Sequence, residues 1–219
     1  MPARPSRALE TLLAEIHACR LCRDAPLRGR PLPHEPRPVL RVRRSATLCI
    51  AGQAPGTKVH ATGLPFNDAS GDRLRSWMAV DRDTFYDATR VAVVPMGFCF
   101  PGQDAAGGDL PPRRECAPLW RDRVMAQLPN LRLILAVGGY SHRYHVSEAL
   151  RADVTATVER FREVLASSAL DGPNVLPLPH PSWRNTGWLK RNPWFESELL
   201  PVLRAEVMAA ITMGDHALP

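Results

Sequence analysis

The chain has 219 residues, of which 45% are apolar and 23% charged. This balance supports one folded domain over 1–219 with a single core, and it excludes wholesale disorder and a large multidomain assembly. Lys and Arg total 28 against 22 Asp and Glu, a net charge of +6, which favours polyanionic partners, nucleic acid first. Lys58 and Lys190 are the only lysines, so a compositional bias toward arginine is a second source of the charge. No apolar run reaches the roughly 18 to 20 residues that span a bilayer. Residues 1–12 carry no apolar segment of a secretory signal, so no membrane association is expected and the expected compartment is the cytoplasm. In that reducing setting five cysteines read as thiols or metal ligands in preference to disulfides.

Along the chain, Ser6 suits a helix N-cap, and Leu9, Leu12, Leu13 and Ile16 recur at helical spacing, so the helix delivers Cys19 and Cys22 just past its end. Five prolines between Pro26 and Pro38 predict an extended surface loop at 26–38. Nearly all-apolar runs at Thr47–Ala51, Val91–Val94, Leu131–Val137 and Val175–Leu178 read as strands buried on both faces, hence mainly parallel. Helices are predicted over Gly71–Val80, Pro112–Leu128, Ser141–Leu150, Thr155–Ser168 and Pro193–Ile211. The alternation gives an α/β fold.

Open parallel sheets bind ligands beyond the carboxyl ends of their strands. The four strand exits here are Gly52-Gln53-Ala54-Pro55-Gly56, Pro95-Met96-Gly97-Phe98-Cys99, Gly138-Gly139 and Pro179-His180-Pro181-Ser182. Gly52 and Gly56 suit a loop whose backbone approaches a ligand closely, or a plain tight turn; the pattern is neither a P-loop nor a dinucleotide fingerprint. Phe66, Asn67 and Asp68 place an aromatic face, an amide and a carboxylate side by side. They suit stacking on a base, reading its edge and orienting a water; equally, Asp68 or Ser70 suits a helix cap with Phe66 in the core. His180 between two prolines has little backbone freedom left to lose, which suits a fixed hydrogen-bond donor or a histidine buried at a strand end. Ser182, Trp183, Arg184 and Asn185, with Lys190, Arg191 and Trp194 beyond them, mix phosphate donors with bulky rings able to wedge into a base stack.

Cys19-x-x-Cys22, Cys99 and Cys116 make a complete four-thiol set, while Cys49 sits inside the first strand and reads as core. A zinc ribbon normally has two close pairs. A second pair split by the 99-to-116 interval is closer to an iron–sulfur arrangement, with zinc as the alternative.

In order, several of these motifs resemble the uracil-DNA glycosylase superfamily, especially its iron–sulfur families 4 and 5. They are Cys19-x-x-Cys22, Gly52-Gln53-Ala54-Pro55-Gly56, Pro65-Phe66 leading to Asp68-Ala69-Ser70-Gly71, Cys99 with Pro101-Gly102, Cys116-Ala117-Pro118, Gly138-Gly139, and His180-Pro181-Ser182 with Asn185-Thr186. The resemblance implies a three-layer α/β/α sandwich around a short, mainly parallel four-stranded sheet. It also implies a [4Fe-4S] cluster on Cys19, Cys22, Cys99 and Cys116. Phe66 is then the ring that stacks on an extruded uracil, in a pocket lined by Gly52, Gln53, Ala54, Gly56 and Asn67. His180 faces a base oxygen, and Ser182 to Asn185 form the loop that enters the duplex.

Three positions depart from the pattern. Gln53 stands where family 4 has an acidic residue, so no water-orienting carboxylate comes from that loop. Asp68 follows Phe66 with one residue fewer than in family 5, and Pro95 stands where family 4 has an edge-reading Asn, a task that Asn67 can assume unless specificity extends to other deaminated bases. The implied activity is hydrolysis of the uracil N-glycosidic bond in double- or single-stranded DNA by a monomer, with Asp68 and His180 catalytic and no lyase step. A nonhydrolysing binder of uracil or abasic DNA is the alternative within the same fold. A thiol staple in a protein that does not act on DNA is the alternative outside it.

Overall fold

A computed structural model describes residues 7–168 and 172–212; Ser6, the expected cap of the first helix, lies outside them. The elements follow in order as α1 (Arg7–His17), α2 (Leu21–Asp24), β1 (Leu48–Ala51), α3 (Thr57–Thr62), α4 (Ala69–Met78), α5 (Arg82–Tyr86) and β2 (Val91–Val93). A π turn at Ala117–Arg121 then runs into α6 (Asp122–Met125), followed by β3 (Leu133–Val137), α7 (Gly139–His145), α8 (Val154–Glu159), α9 (Phe161–Ser168) and β4 (Asn174–Leu178). A 3-10 turn at Trp183–Asn185 leads into α10 (Thr186–Arg191), and a π turn at Phe195–Leu199 leads into α11 (Leu200–Thr212). The sheet has the order β2-β1-β3-β4, and every pairing is parallel.

Side chains alternate across a strand, and both faces of this sheet are covered. Leu48, Ile50, Val91, Val93, Leu133, Leu135 and Leu176 pack with Leu74, Trp77, Phe85, Phe161, Phe195 and Leu203 on one side. Cys49, Ala51, Ala92, Ile134, Ala136 and Val175 pack on the other with Leu9, Leu12, Ile16, Phe98, Trp120 and Val124. The fold is an α/β/α sandwich. Pro177 falls in β4, which is an edge strand, where a missing N–H breaks no ladder bond on the open side.

The helices differ from the sequence pattern where proline or local capping overrides periodicity. Residues 112–115 are not helical and the helical stretch begins only at Cys116. The helix expected from Pro193 starts as a π turn, because Pro201 has no N–H for the Ser197 carbonyl and its ring would strike it. The segment 155–168 is two helices split at Arg160, and α7 stops at His145 before extended Val146. The segment after His180 contains α10, which its mixed polar and aromatic pattern did not announce. The 26–38 segment has neither helix nor strand, as expected. No helix among the described residues is long and apolar enough to cross a membrane.

Two histidines, His142 and His145, tie the framework together. The His142 Nε2–H reaches the carbonyls of Ala136 at 3.1 Å and Leu178 at 3.0 Å, joining the ends of β3 and β4. Arg121, fully buried, donates to Val94 and Pro95 carbonyls at 2.6 and 3.1 Å and to His145 Nε2 at 2.6 Å. A guanidinium has no acceptor, so His145 must be neutral to receive that bond. Burial, then the adjacent Arg121 charge, push its pKa down to about 3, and burial lowers that of His142 as well.

Because these rings stay neutral in the folded chain but titrate near 6.5 when unfolded, the unfolded state takes up protons first as pH falls. Stability is therefore insensitive to them above pH 7 and declines below about 6.5, by up to about 1.4 kcal/mol per pH unit for each such histidine. Urea unfolding at pH 7.0 and 5.0 is expected to show lower stability at pH 5.0. His145→Gln, which keeps an acceptor for Arg121, should narrow the gap, and equal stabilities at the two pH values would contradict the assignment.

Candidate functional site

The exits of β1, β2 and β4 meet over one cavity of about 590 Å³, within the size range of small-ligand pockets; Gly138 and Gly139, at the exit of β3, are not among its lining residues. The loop after β1 is held to the loop after β2: the Gly52 carbonyl accepts the Met96 N–H at 2.9 Å and the Gln53 carbonyl accepts the Gly97 N–H at 2.8 Å. Gly138 has φ of 82°, and a Cβ there would lie 2.4 Å from Gln53 Nε2. The Gln53 amide therefore lies across the glycine that ends β3.

The connection from α3 to α4 carries the next wall. Phe66 has φ of 54°, a left-handed value uncommon outside glycine. Its carbonyl sits where a Cβ on Gly71 would come within 1.7 Å, so only glycine fits at 71. The Phe66 ring lies against Gly52, 3.2 Å from the position of a Cβ there, and meets Phe85 edge-on at 6.0 Å. One face of the ring is thereby left toward the cavity that it lines. Asp68 Oδ1 accepts the Gly71 N–H at 3.0 Å and caps α4, while the same residue lines the cavity. One carboxylate therefore both caps the helix and belongs to the cavity's lining, and its Oδ2 has no hydrogen-bond partner among the described residues.

His180 follows β4. Its Nδ1 accepts the Ser182 N–H at 3.2 Å, which places the proton of the neutral ring on Nε2. Its carbonyl is held by Asn185 Nδ2 at 2.7 Å. Burial lowers the pKa of the imidazole, against the opposing pull of the Asp68 and Asp109 carboxylates, so the ring is a neutral Nε2–H donor at physiological pH. The turn beyond it is fastened from α4, where Arg73 donates to the Ser182 carbonyl at 2.9 Å and to Thr186 Oγ1 at 3.2 Å. On that turn Trp183 is 71% exposed, with the Arg184 guanidinium 5.8 Å from its ring centre.

The cavity brings together Gly52, Gln53, Ala54, Gly56, Phe66, Asp68, His180, Ser182, Trp183, Arg184 and Asn185. Asn67 is not among its lining residues. Sequence reasoning missed Gln103 and Asp109, which also line it. They stand on a small hairpin closed by the Gln103–Asp109 bridge and by Asp104 Oδ1, which accepts the Ala106 and Gly108 N–H groups at 2.9 and 2.8 Å. The glycine and aspartate run of 102–109 was the available signal.

Cys19, Cys22, Cys99 and Cys116 line a second, narrow cavity of about 20 Å³ together with Phe98, Arg113 and Trp120. The Phe98 N–H reaches Cys116 Sγ at 3.3 Å. Burial, reinforced by the neighbouring thiols, pushes the pKa values of Cys99 and Cys116 up to about 12. Cys49 is fully buried in β1, as expected, and burial raises it to about 11. Among the described residues no three His, Cys, Asp or Glu side chains converge closely enough to hold a single metal ion.

Residues 41–204 match the uracil DNA glycosylase superfamily. The chain belongs to that superfamily. It is also similar to a candidate uracil DNA glycosylase from Methanosarcina acetivorans solved by NMR in solution. Identity to that protein is 18% and the TM-score 0.39, over 75% of this chain and 93% of that one. The cavity lies at the carboxyl end of the sheet, where open parallel sheets bind their ligands.

The Gly71 contact gives a sharp test of the site's construction. Gly71→Ala is expected to destabilise the chain by about 1 to 3 kcal/mol in urea unfolding, the usual effect of forcing a methyl group into a filled space. An unchanged unfolding midpoint would show that the α3–α4 turn is not held as described.

Proposed function

We propose that the protein excises uracil from DNA by hydrolysing its N-glycosidic bond, acting as a monomer and leaving an abasic site. The observation that carries this reading is the convergence of Phe66 and Asp68, from the α3–α4 connection, and His180, from the exit of β4, on one cavity. An extruded base stacks on Phe66, which is held from behind by Gly52 and Phe85. As the C1′–N1 bond lengthens, negative charge gathers on the base and positive charge on the sugar. The His180 Nε2–H donates to a base oxygen; one such oriented donor is worth about 2.7 to 4 kcal/mol in a water-poor site. Asp68 opposes the positive charge on the sugar and accepts a hydrogen from the attacking water through Oδ2. A Schiff-base lyase step needs a positioned lysine, and neither Lys58 nor Lys190 lines the cavity. Trp183 and Arg184 stand at the rim, where an exposed ring beside a guanidinium suits a wedge into the stack with a phosphate contact.

Asn67 stands outside the lining, which favours edge reading by Gln53 or by backbone groups of the 52–56 loop, and with it acceptance of deaminated bases besides uracil. A panel of oligonucleotides carrying uracil, hypoxanthine or xanthine, followed by alkaline cleavage, reads this directly. His180→Ala and Asp68→Asn are each expected to slow single-turnover uracil release at least about tenfold. Binding of uracil DNA with no abasic product from the wild type would identify a nonhydrolysing binder instead.

The four thiols support a [4Fe-4S] cluster as the resident group. Cys99 and Cys116 stand on separate loops rather than as a close pair of the zinc-ribbon kind, which suits a cluster assembled from distant segments. The Phe98 N–H directed at Cys116 Sγ is the kind of bond that tunes cluster sulfurs. The group would supply a covalent staple between α1–α2 and the loops carrying Cys99 and Cys116. Purified protein is expected to be brown, absorbing near about 400 nm. Cys116→Ala should abolish that absorbance and lower the melting temperature, and a colourless protein containing zinc would reject the cluster.

A further inference from the structure

The hairpin 103–109 brings a second carboxylate, Asp109, to the cavity that Asp68 lines. Asp109 is built much as Asp68 is: its Oδ1 accepts from an amide, Gln103 Nε2 at 3.3 Å, as Asp68 Oδ1 accepts the Gly71 N–H at 3.0 Å. In both, Oδ2 has no hydrogen-bond partner among the described residues. Asp109 Oδ2 lies over Gly56, 3.0 Å from where a Cβ would stand, so a side chain at 56 would press on it. Across the rim the hairpin meets the turn after His180, with Arg184 Nη1 3.4 Å from the position of a Cβ on Gly108. Asp109 is exposed at the mouth, and the mouth is where the sugar of an extruded nucleotide stays once its base is inside.

A water molecule has two hydrogens. One acceptor leaves it free to swing, whereas two acceptors fix both hydrogens and turn a lone pair toward a third point. We propose that Asp109 is a second catalytic carboxylate, which with Asp68 holds the attacking water by its two hydrogens and aims its oxygen at C1′. The inference rests on the reading of this cavity as a glycosylase pocket. In the step, the C1′–N1 bond breaks with its electron pair leaving on the base, and the water oxygen bonds to C1′. The proton the water sheds passes to one of the two carboxylates and then to solvent, while the departing base anion takes a proton from solvent. The same pair of negative charges faces the positive charge that develops on the sugar, and His180, within electrostatic reach of both, faces the base.

A carboxylate at the mouth also repels DNA phosphates, so its removal separates catalysis from binding. The test compares wild type, Asp109→Asn, Asp109→Glu, Asp68→Asn and the Asp68→Asn/Asp109→Asn double variant. It uses single-turnover release from a uracil oligonucleotide, affinity for a 2′-fluorinated uracil analogue that resists cleavage, and thermal melting. Asp109→Asn is expected to slow release at least about tenfold while binding stays equal or tightens and melting is unchanged. Asp109→Glu should recover part of the rate. Two residues acting on one water are non-additive, so the double variant should be within about threefold of the slower single variant. An active wild type with an equally active Asp109→Asn overturns this inference alone. So does a parallel loss of rate and affinity, which would make Asp109 a support for the rim, or full multiplication of the two single effects. A wild type that releases no base overturns the reading of the pocket and this inference with it.

Discussion

The site depends on a carbonyl that occupies the space a side chain would take. With no Cβ at Gly71, the chain between α3 and α4 folds back until the Phe66 carbonyl presses on the start of α4, and Phe66 takes up a left-handed backbone to do so. Strain of about 1 to 3 kcal/mol at such a residue persists only when its surroundings over-determine it. Here they do. The ring is trapped between Gly52 and Phe85, Tyr86 Oη donates to the Pro65 carbonyl at 2.9 Å, and Asp68 locks the following helix by its cap. The shelf on which a base would stack and the carboxylate beside it are thus consequences of one tight turn, and neither is free to drift independently of the other.

The opposite wall is fixed by other means. His180 is carried at the end of an edge strand whose last residue, Leu178, is tied through His142 to Ala136 on the neighbouring strand. The turn beyond His180 is pinned by Arg73 from the same helix that Asp68 caps. Two walls of the cavity therefore share α4 as a common support. Burial keeps His180 neutral, and the Ser182 N–H chooses its tautomer. A donor so placed needs little reorganisation as charge develops on a leaving group, which is the condition under which a hydrogen bond contributes most to catalysis.

Much of this was legible in the sequence because strands buried on both faces write themselves as continuous apolar runs, and strand exits in a parallel sheet point to where ligands sit. The four runs gave the sheet, and their exits gave Gly52, His180 and the loops around them. Asp68 was readable as a cap or as a functional carboxylate; the structure shows the cap, which uses only one of its two oxygens and so leaves the second reading open. Asn67 was credited by adjacency alone; a left-handed residue just before it turns the chain, so neighbours in sequence do not share a direction. Asp109 escaped notice because a hairpin of Gly, Asp and Ala has neither helical nor strand periodicity, and its meaning appears only when the tip is seen against the exits of β1 and β4. The helix drawn from Pro112 overran because a proline is compatible with a first helical turn and so marks only the earliest residue at which a helix can begin; residues 112–115 are not helical.

That same stretch connects the two cavities. Asp109 lies on the segment between Cys99 and Cys116, whose ends both reach the thiol cavity while its tip lines the larger one. An exposed hairpin held by a few local hydrogen bonds is a weak unit by itself, since such bonds contribute about 1 kcal/mol net each. Closing both of its ends on a single bound group removes chain entropy from the loop whatever its own contacts. Burial pushes the pKa values of Cys99 and Cys116 up to about 12, and thiols so placed release their protons when a metal group binds. A group held by these thiols would thus restrict how far the segment that carries Asp109 can move.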